Sequence, residues 1–201
     1  INNLSDKNIF IHSGDIVKGG KQDRTLKHDV IVSANDKDVE LASFCVESGR
    51  WAQRGGEDVG KFSGNHKMLS SKDLKVAAKL KSNQQAVWGE VAEQQDALTD
   101  NISKAYGLAG QFDVRENESG SSLQLTLENE KLKELREGFD KAIAGLEIDG
   151  AIGYVYAVNG EIYGADIYNN QQLFHDLWDK LKEAFIVEAI AEMDSLSLIH
   201  I

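Results

Sequence analysis

The dipeptide Asn159-Gly160 narrows the possible folds of this chain more than any other feature. It lies between two segments rich in β-branched and aromatic residues, 152–158 and 161–168. Asn and Gly tolerate the positive φ angles of tight turns whose twist matches that of paired strands, so this arrangement is a strong signal for a β-hairpin. We therefore predict two antiparallel strands in the last quarter of the chain.

Helices are predicted on both sides of this hairpin. Apolar residues recur at helical spacing in three segments, which are 84–98, 132–146 and 173–189. Asn129 is placed to cap the second helix, and Asn169 or Asn170 to cap the third. Segment 123–127 alternates apolar and polar residues, which predicts a strand between the first two helices.

The beginning of the chain favours strands instead. Short β-branched runs occur at 9–11, 16–17 and 30–32, and Gly19-Gly20 favours a hairpin turn after the second run. Residues 52–71 are polar and rich in Gly, which predicts an exposed loop. We therefore predict an α+β fold, in which a β-rich N-terminal part, made of hairpins or a small sandwich, packs with a helix–strand–helix–hairpin–helix part.

The chain of 201 residues is long enough to bury a sizeable core. We predict a single domain over residues 1–195, with a β-rich part at 1–50, the glycine-rich loop at 52–71 and a mixed part at 72–195. The last six residues, 196–201, break the helical pattern before them, and we interpret them as a non-native tail.

The distribution of charge limits the possible partners. The net charge is −11, and residues 100–201 hold 8 Lys and Arg against 19 Asp and Glu, whereas residues 1–99 hold 14 of each kind. Nucleic-acid binding needs a basic stripe, which this chain lacks, and no apolar run reaches membrane-spanning length. The single cysteine excludes an internal disulfide and fits a reducing compartment. We therefore predict a cytoplasmic protein with neither a nucleic-acid nor a membrane partner.

Two N-terminal segments concentrate the charged and aromatic side chains. The first is 14–24, in which strand geometry after the Gly-Gly turn would place Lys21 and Asp23 on one face and Gln22 and Arg24 on the other. The second is 44–51, in which alternation would point Phe44 and Val46 into the core and Cys45 and Glu47 away from it. Its turn then presents Arg50 and Trp51, and this pair can bind an anion through the guanidinium and stack a ring on the indole.

These two segments, read as 14–24 and 44–51, together resemble the ARG and Rhodanese-Phosphatase-superfamily-associated Protein domain family. Residues 173–181, LFHDLWDKL, are similar to the terminal helix of that family. The resemblance implies an uncharacterised bacterial domain whose genes are associated with ADP-ribosylglycohydrolases and rhodanese-type phosphatases. It implies no activity of its own, so no catalytic role is carried over to any residue.

Three hypotheses for function follow. In the first, the chain binds or processes a phosphate-bearing ligand of ADP-ribose or nucleotide type. The predicted ligand-binding residues are Lys21, Gln22, Asp23, Arg24, Glu47, Arg50 and Trp51. In the second, the chain is a hydrolase that uses Cys45 with His28, or the carboxylates of Asp29 and Glu47. In the third, both segments are structural networks of a non-catalytic interaction scaffold.

No cofactor or metal site is predicted. Residues 55–61 match the start of a phosphate-binding P-loop, but Phe62 stands where magnesium binding needs Ser or Thr. His12, His28 and His66 are dispersed and do not have metal-ligand spacing. Cys45 lies between apolar residues of a predicted strand, so we expect a packed thiol and not a reactive nucleophile.

Overall fold

The computed structural model describes residues 1–108, 110, 112–146 and 148–194, except that the side chains of residues 64–68 are not described. The predicted non-native tail, 196–201, lies outside the described residues. Strands dominate the N-terminal part and helices the C-terminal part, so the predicted α+β class is confirmed.

Two antiparallel sheets are built from the first 69 residues. Their strands are β1 (Ile9–Ile11), β2 (Asp15–Gly19), β3 (Arg24–Leu26), β4 (Val30–Val32), β5 (Ser43–Cys45) and β6 (Phe62–Leu69). One sheet pairs β1 with β4, and the other has the order β5-β3-β2-β6. The predicted turn at Gly19-Gly20 joins β2 to β3, and both glycines have positive φ angles, +128° and +61°.

The strand after this turn begins later than the alternation of the sequence predicts. Lys21, Gln22 and Asp23 belong to the turn, and β3 starts at Arg24. The side chains of Gln22 and Asp23 are therefore both buried, although strand geometry would place them on opposite faces. Both side chains form hydrogen bonds inside the protein, described below, and these bonds bury them despite the alternation of a strand.

The prediction of a loop over 52–71 is wrong for its second half, because β6 occupies Phe62–Leu69. This strand pairs with β2, so Gly19 lies opposite Phe62. A Cβ atom on Gly19 would lie 2.5 Å from the carbonyl oxygen of Lys61. Pairing with β2 is a long-range contact, and such a contact leaves little trace in local composition.

The prediction of a strand at 123–127 is also wrong. These residues form the start of α3 (Leu123–Glu128), and all five of them are buried. Ser122 caps this helix, since its Oγ accepts a hydrogen bond from the backbone N–H of Leu125 at 3.2 Å. Alternation predicts a strand only when one face is exposed, and here the polar members Gln124 and Thr126 are buried together with their apolar neighbours.

The other predicted elements of the C-terminal part are confirmed. The three predicted helices are α2 (Gln84–Tyr106), α4 (Glu130–Ile143) and α5 (Gln171–Glu192). The sequence analysis did not predict α1 (Lys72–Val76), which is continued by a π-helical turn at Ala77–Lys81. Asn129 caps α4 and Asn170 caps α5 through side-chain bonds to backbone N–H groups. The hairpin is β7 (Gly153–Val158) with β8 (Glu161–Ile167), turning at Asn159-Gly160.

Helix α5 lies at the centre of the packing. It contacts β6, α2, α4 and β7, and it contributes fully buried Phe174, Leu181 and Ile186 to the core. As a consequence, α1, the β7–β8 hairpin and α5 surround a pocket, which is described below. None of the helices within the described residues is long and apolar enough to cross a membrane.

Candidate functional site

Three of the residues predicted to bind a ligand form a buried ion network. Arg50 Nη2 lies 2.7 Å from Glu47 Oε2 and 3.5 Å from Asp23 Oδ1. A second arginine, Arg54, binds Asp23 at two points, with both N–O distances at 2.9 Å. The sequence analysis missed Arg54, because it lies in the glycine-rich segment that was interpreted only as loop.

Neutral groups complete the hydrogen bonds of this network. Ser122 Oγ donates to Asp23 Oδ2 at 2.9 Å, and the N–H of Gly19 donates to Asp23 Oδ1 at 3.0 Å. Although burial acts to raise the pKa of Glu47, hydrogen bonds from Arg50 and Ser119 hold it below its ordinary value. The network therefore connects the Gly-Gly turn, the segment after β5 and the start of α3. Its charged groups are already paired with one another.

The other predicted ligand-binding residues lie around this network without joining its ion pairs. Gln22 is buried and donates to the backbone carbonyl of Glu47 at 2.7 Å. Lys21 is exposed, and Trp51 is 66% exposed. Arg24 Nη1 lies 3.4 Å from Ser43 Oγ across the β3–β5 pair. The structure thus brings together Gln22, Asp23, Glu47 and Arg50, while Lys21, Arg24 and Trp51 stand apart.

The residues considered for a hydrolase occupy separate places. Cys45 is buried in β5, with Arg24 as its Cα partner in β3. His28 is exposed and four residues beyond Arg24, which is roughly 13 Å of extended chain. Asp29 accepts from the N–H of Ser13 at 2.8 Å, near the far end of β3 from Glu47. Neither Cys45 and His28 nor Asp29 and Glu47 are therefore brought together as a pair.

A pocket of about 280 Å³ lies between α1, the β7–β8 hairpin and α5. Lys72, Lys75 and Lys79 form one wall of it, because they are spaced by three and four residues along α1 and the π-helical turn. The rest of the lining includes Tyr154, Tyr156 and Phe185, together with two carboxylates, Asp166 and Glu188. The pocket therefore combines cations, aromatic rings and carboxylates in one small space.

The three lysines differ in their partners. Lys72 Nζ lies 3.6 Å from the centre of the Tyr163 ring, and Lys79 Nζ lies 3.6 Å from Asp29 Oδ2. Lys75 forms no side-chain hydrogen bond or ion pair with any residue whose side chain the structure describes. Its aliphatic stem passes Gly14, where a Cβ atom would lie 2.8 Å from Lys75 Cε. Because Gly14 has no side chain, it leaves room for Lys75, whose ammonium group remains available to bind a ligand.

Glu188 is a buried carboxyl group at the inner wall, with 6% of its surface exposed. Its Oε2 accepts a hydrogen bond from the Tyr156 hydroxyl, and its Oε1 accepts from the backbone N–H of Lys72 at 2.5 Å. Burial raises the pKa of Glu188 despite these bonds, and burial likewise raises the pKa of Tyr156. The pair is therefore a fixed hydrogen-bonding unit in which the tyrosine keeps its proton.

A second polar cluster adjoins the lysine wall. His12 is 6% exposed, and its Nε2 lies 3.2 Å from the Tyr168 hydroxyl. Asp15 accepts from Lys180 at 2.5 Å and from the N–H of His12 at 2.9 Å. Burial, with the nearby charges of Lys75 and Lys180, lowers the pKa of His12 to about 4. His12 and Asp15 therefore lie beside the lysine wall of the pocket. Asp23, later in the first N-terminal segment, belongs to the ion network instead.

The sequence held one signal for the pocket. Lysines at positions 72, 75 and 79 have the spacing of a single helical face, yet the carboxylates and rings that line the same pocket come from residues 75 to 116 positions later. No local pattern connects those parts of the chain. Within the described part of the chain, no group of three or more His, Cys, Asp or Glu residues is arranged to hold a metal ion.

Comparison with known proteins gives one match. No curated protein sequence and no solved structure is significantly similar to the chain. The family model of the ARG and Rhodanese-Phosphatase-superfamily-associated Protein domain matches residues 1–197, which is nearly the whole sequence. The resemblance carried by the two N-terminal segments and the terminal helix is thereby confirmed, and the chain belongs to the ARG and Rhodanese-Phosphatase-superfamily-associated Protein domain family.

Proposed function

We propose that this chain binds a small phosphate-bearing molecule, of nucleotide or ADP-ribose type, in the pocket formed by α1, the β7–β8 hairpin and α5. The observation that carries the proposal is the row of Lys72, Lys75 and Lys79 along one wall. Three like charges in one small pocket repel one another, and an anion bound among them relieves that repulsion. Lys75 is the strongest donor, because no described side chain pairs with it.

The charge of the whole protein strengthens this argument. A chain with a net charge of −11 has no general affinity for phosphate, so an anion needs a local concentration of cations. The lysine wall supplies it at the surface of a concave site, and the rest of the lining is mainly aromatic and aliphatic, with the two carboxylates Asp166 and Glu188. Small-molecule sites have this character, in which apolar walls carry a few convergent polar groups.

The ion network is a weaker candidate for the same ligand. Arg50 and Arg54 are buried, and both already bind the carboxylates of Asp23 and Glu47. A phosphate at this place would have to displace a buried carboxylate, which would then lack a partner, at a cost of several kcal/mol. The lysine pocket requires no such displacement for Lys75, and we therefore assign to it the role that the sequence suggested for Lys21, Arg24 and Arg50.

Calorimetric titration of the full chain with pyrophosphate and with ADP-ribose tests the proposal. We expect binding by the wild type and a loss of affinity of about tenfold or more in Lys75→Ala, since a charged hydrogen bond contributes about 1.5–3 kcal/mol. Lys61→Ala is the matched control, because it removes an exposed lysine of the glycine-rich segment and should bind like the wild type.

Two results would contradict the proposal. The wild type could fail to bind either compound at millimolar concentration, or Lys75→Ala and Lys61→Ala could bind equally well. A third variant, Arg24→Ala, distinguishes a binding site in the pocket from one formed by the residues after the Gly-Gly turn. Loss of binding in Arg24→Ala with full binding in Lys75→Ala would return the site to the residues after the Gly-Gly turn.

A further inference from the structure

We propose that the ligand of this pocket is a phosphorylated sugar or polyol, whose phosphate binds the lysine wall and whose hydroxyl groups donate to Asp166. This inference rests on the proposed function and adds the chemical class of the ligand. It is carried by the presence of lysines and carboxylates in the lining of one cavity without an ion pair between their described side chains. Among the described side chains of the pocket, no ion pair joins a lysine to Asp166 or Glu188, although both carboxylates line it.

Asp166 is held ready to accept hydrogen bonds. Its Oδ2 accepts from the Tyr154 hydroxyl at 2.8 Å, while no described residue donates to its Oδ1. Burial, together with the charge of Asp166, raises the pKa of Tyr154, so the tyrosine stays protonated and keeps donating. One carboxylate oxygen is thus fixed by the protein and the other remains for a ligand.

The donor that suits Asp166 is a neutral hydroxyl. An ammonium group on the ligand would enter a cavity that already contains three lysine side chains, and like charges at short range oppose one another. Hydroxyl groups bind a carboxylate without adding positive charge. The rings of Tyr154 and Phe185 and the backbone of Gly164 provide apolar surface against which the C–H groups of a sugar can pack.

The size of the pocket favours one sugar-phosphate unit. Pockets for drug-sized ligands span about 300–1,000 Å³. The volume here, about 280 Å³, lies just below that range. A dinucleotide-sized molecule would therefore place only its terminal sugar phosphate inside, with the remainder extending past the exposed Leu80 at the rim.

Calorimetric titrations of the full chain with inorganic phosphate, ribose 5-phosphate and unphosphorylated ribose test this inference. We expect ribose 5-phosphate to bind about tenfold more tightly than phosphate, since it adds hydrogen bonds to a charged acceptor. Asp166→Asn should remove that advantage without weakening the binding of phosphate, whereas Lys75→Ala should weaken both. Asp176→Asn, an exposed aspartate of α5, is the matched control and should bind all three like the wild type.

Tyr154→Phe provides a second route to the same test if Asp166→Asn fails to fold. Removing the hydroxyl frees the carboxylate to rotate, so affinity for ribose 5-phosphate should fall while affinity for phosphate should not. Equal binding of phosphate and ribose 5-phosphate would overturn the inference and leave the proposed function standing. Tighter binding of phosphoethanolamine than of ribose 5-phosphate would also overturn it, by showing that Asp166 takes an ammonium group. Absence of binding by every phosphate compound would instead contradict the proposed function.

Discussion

Arg54 and Asp23 form a two-point ion pair that is closed to water. Arg54 Nη1 lies 2.9 Å from Asp23 Oδ2, Nη2 lies 2.9 Å from Oδ1, and the two residues are 5% and 0% exposed. Asp23 belongs to the turn between β2 and β3, and Arg54 to the segment before β6. The pair therefore fixes a segment without regular secondary structure against the sheet.

The variant Arg54→Ala tests how much this contact stabilises the protein. Removing one partner leaves Asp23 buried without its main counter-charge, and such losses cost about 3–5 kcal/mol. We therefore expect the free energy of unfolding, measured with urea, to fall by about that amount. Lys61→Ala, which removes an exposed lysine nearby, should change it by less than about 0.5 kcal/mol. Similar values for both variants would show that the ion pair is not a stabilising contact.

Ser122 connects the ion network to helix α3. Its Oγ donates to Asp23 and also accepts from the N–H of Leu125, so Ser122→Ala removes an N-cap and one bond to a buried carboxylate. We expect a loss of about 1–3 kcal/mol in the free energy of unfolding. Ser121→Ala is the matched control, because its bond to the N–H of Gly49 is exposed and should contribute less. A larger loss in Ser121→Ala would contradict this role for Ser122.

The parts of the fold that the sequence predicts correctly are those with strong local signals. Asn159-Gly160 specifies its turn through its own backbone preferences, and Asn129 and Asn170 cap helices with their own side chains. The errors at β6 and α3 have non-local causes. Strand β6 depends on its pairing with β2, and α3 depends on the cap at Ser122 and on burial from all sides.

The same division applies to the candidate site. Sequence analysis identified Asp23, Glu47 and Arg50 as a group, and the structure brings them together. It could not show that Arg54 completes their charge balance, since that contact spans 31 residues. It also could not place Lys75 and Asp166 in one pocket, because only the packing of α1, α5 and the hairpin brings these parts of the chain together.

Cys45 offers a direct test of the remaining catalytic hypothesis. Its side chain is 9% exposed in β5, so a thiol reagent should label the native protein far more slowly than the protein unfolded in urea. Cys45→Ser should bind pyrophosphate as the wild type does, because the pocket lies between other elements. Rapid labelling of the native protein at neutral pH would restore Cys45 as a candidate nucleophile.

His12 gives the protein a pH dependence of stability with a defined sign. The pKa of His12 is lowered to about 4 in the folded protein, mainly by burial, against an ordinary value of 6.5. Between these values the unfolded chain binds a proton at this position and the folded protein does not. Stability should therefore fall as the pH falls from 6.5 to 4, by about 3 kcal/mol if the whole shift is realised. Glu188, whose pKa is raised by burial, acts with the opposite sign just above its ordinary value of 4.5, where the folded protein holds a proton that the unfolded chain has lost.

The variant His12→Gln separates the histidine contribution from that of the carboxylates around it, Asp15 and Asp29. Glutamine does not titrate, and its side chain can still bond to the Tyr168 hydroxyl that His12 contacts. Urea unfolding of both proteins at pH 7 and pH 4.5 should show a smaller loss on acidification in the variant, because the unfolded chain no longer takes up a proton at position 12. His28→Gln, which replaces an exposed histidine, should retain the acid sensitivity of the wild type. Equal losses in the wild type and in His12→Gln would show that protonation of His12 costs the folded protein nothing.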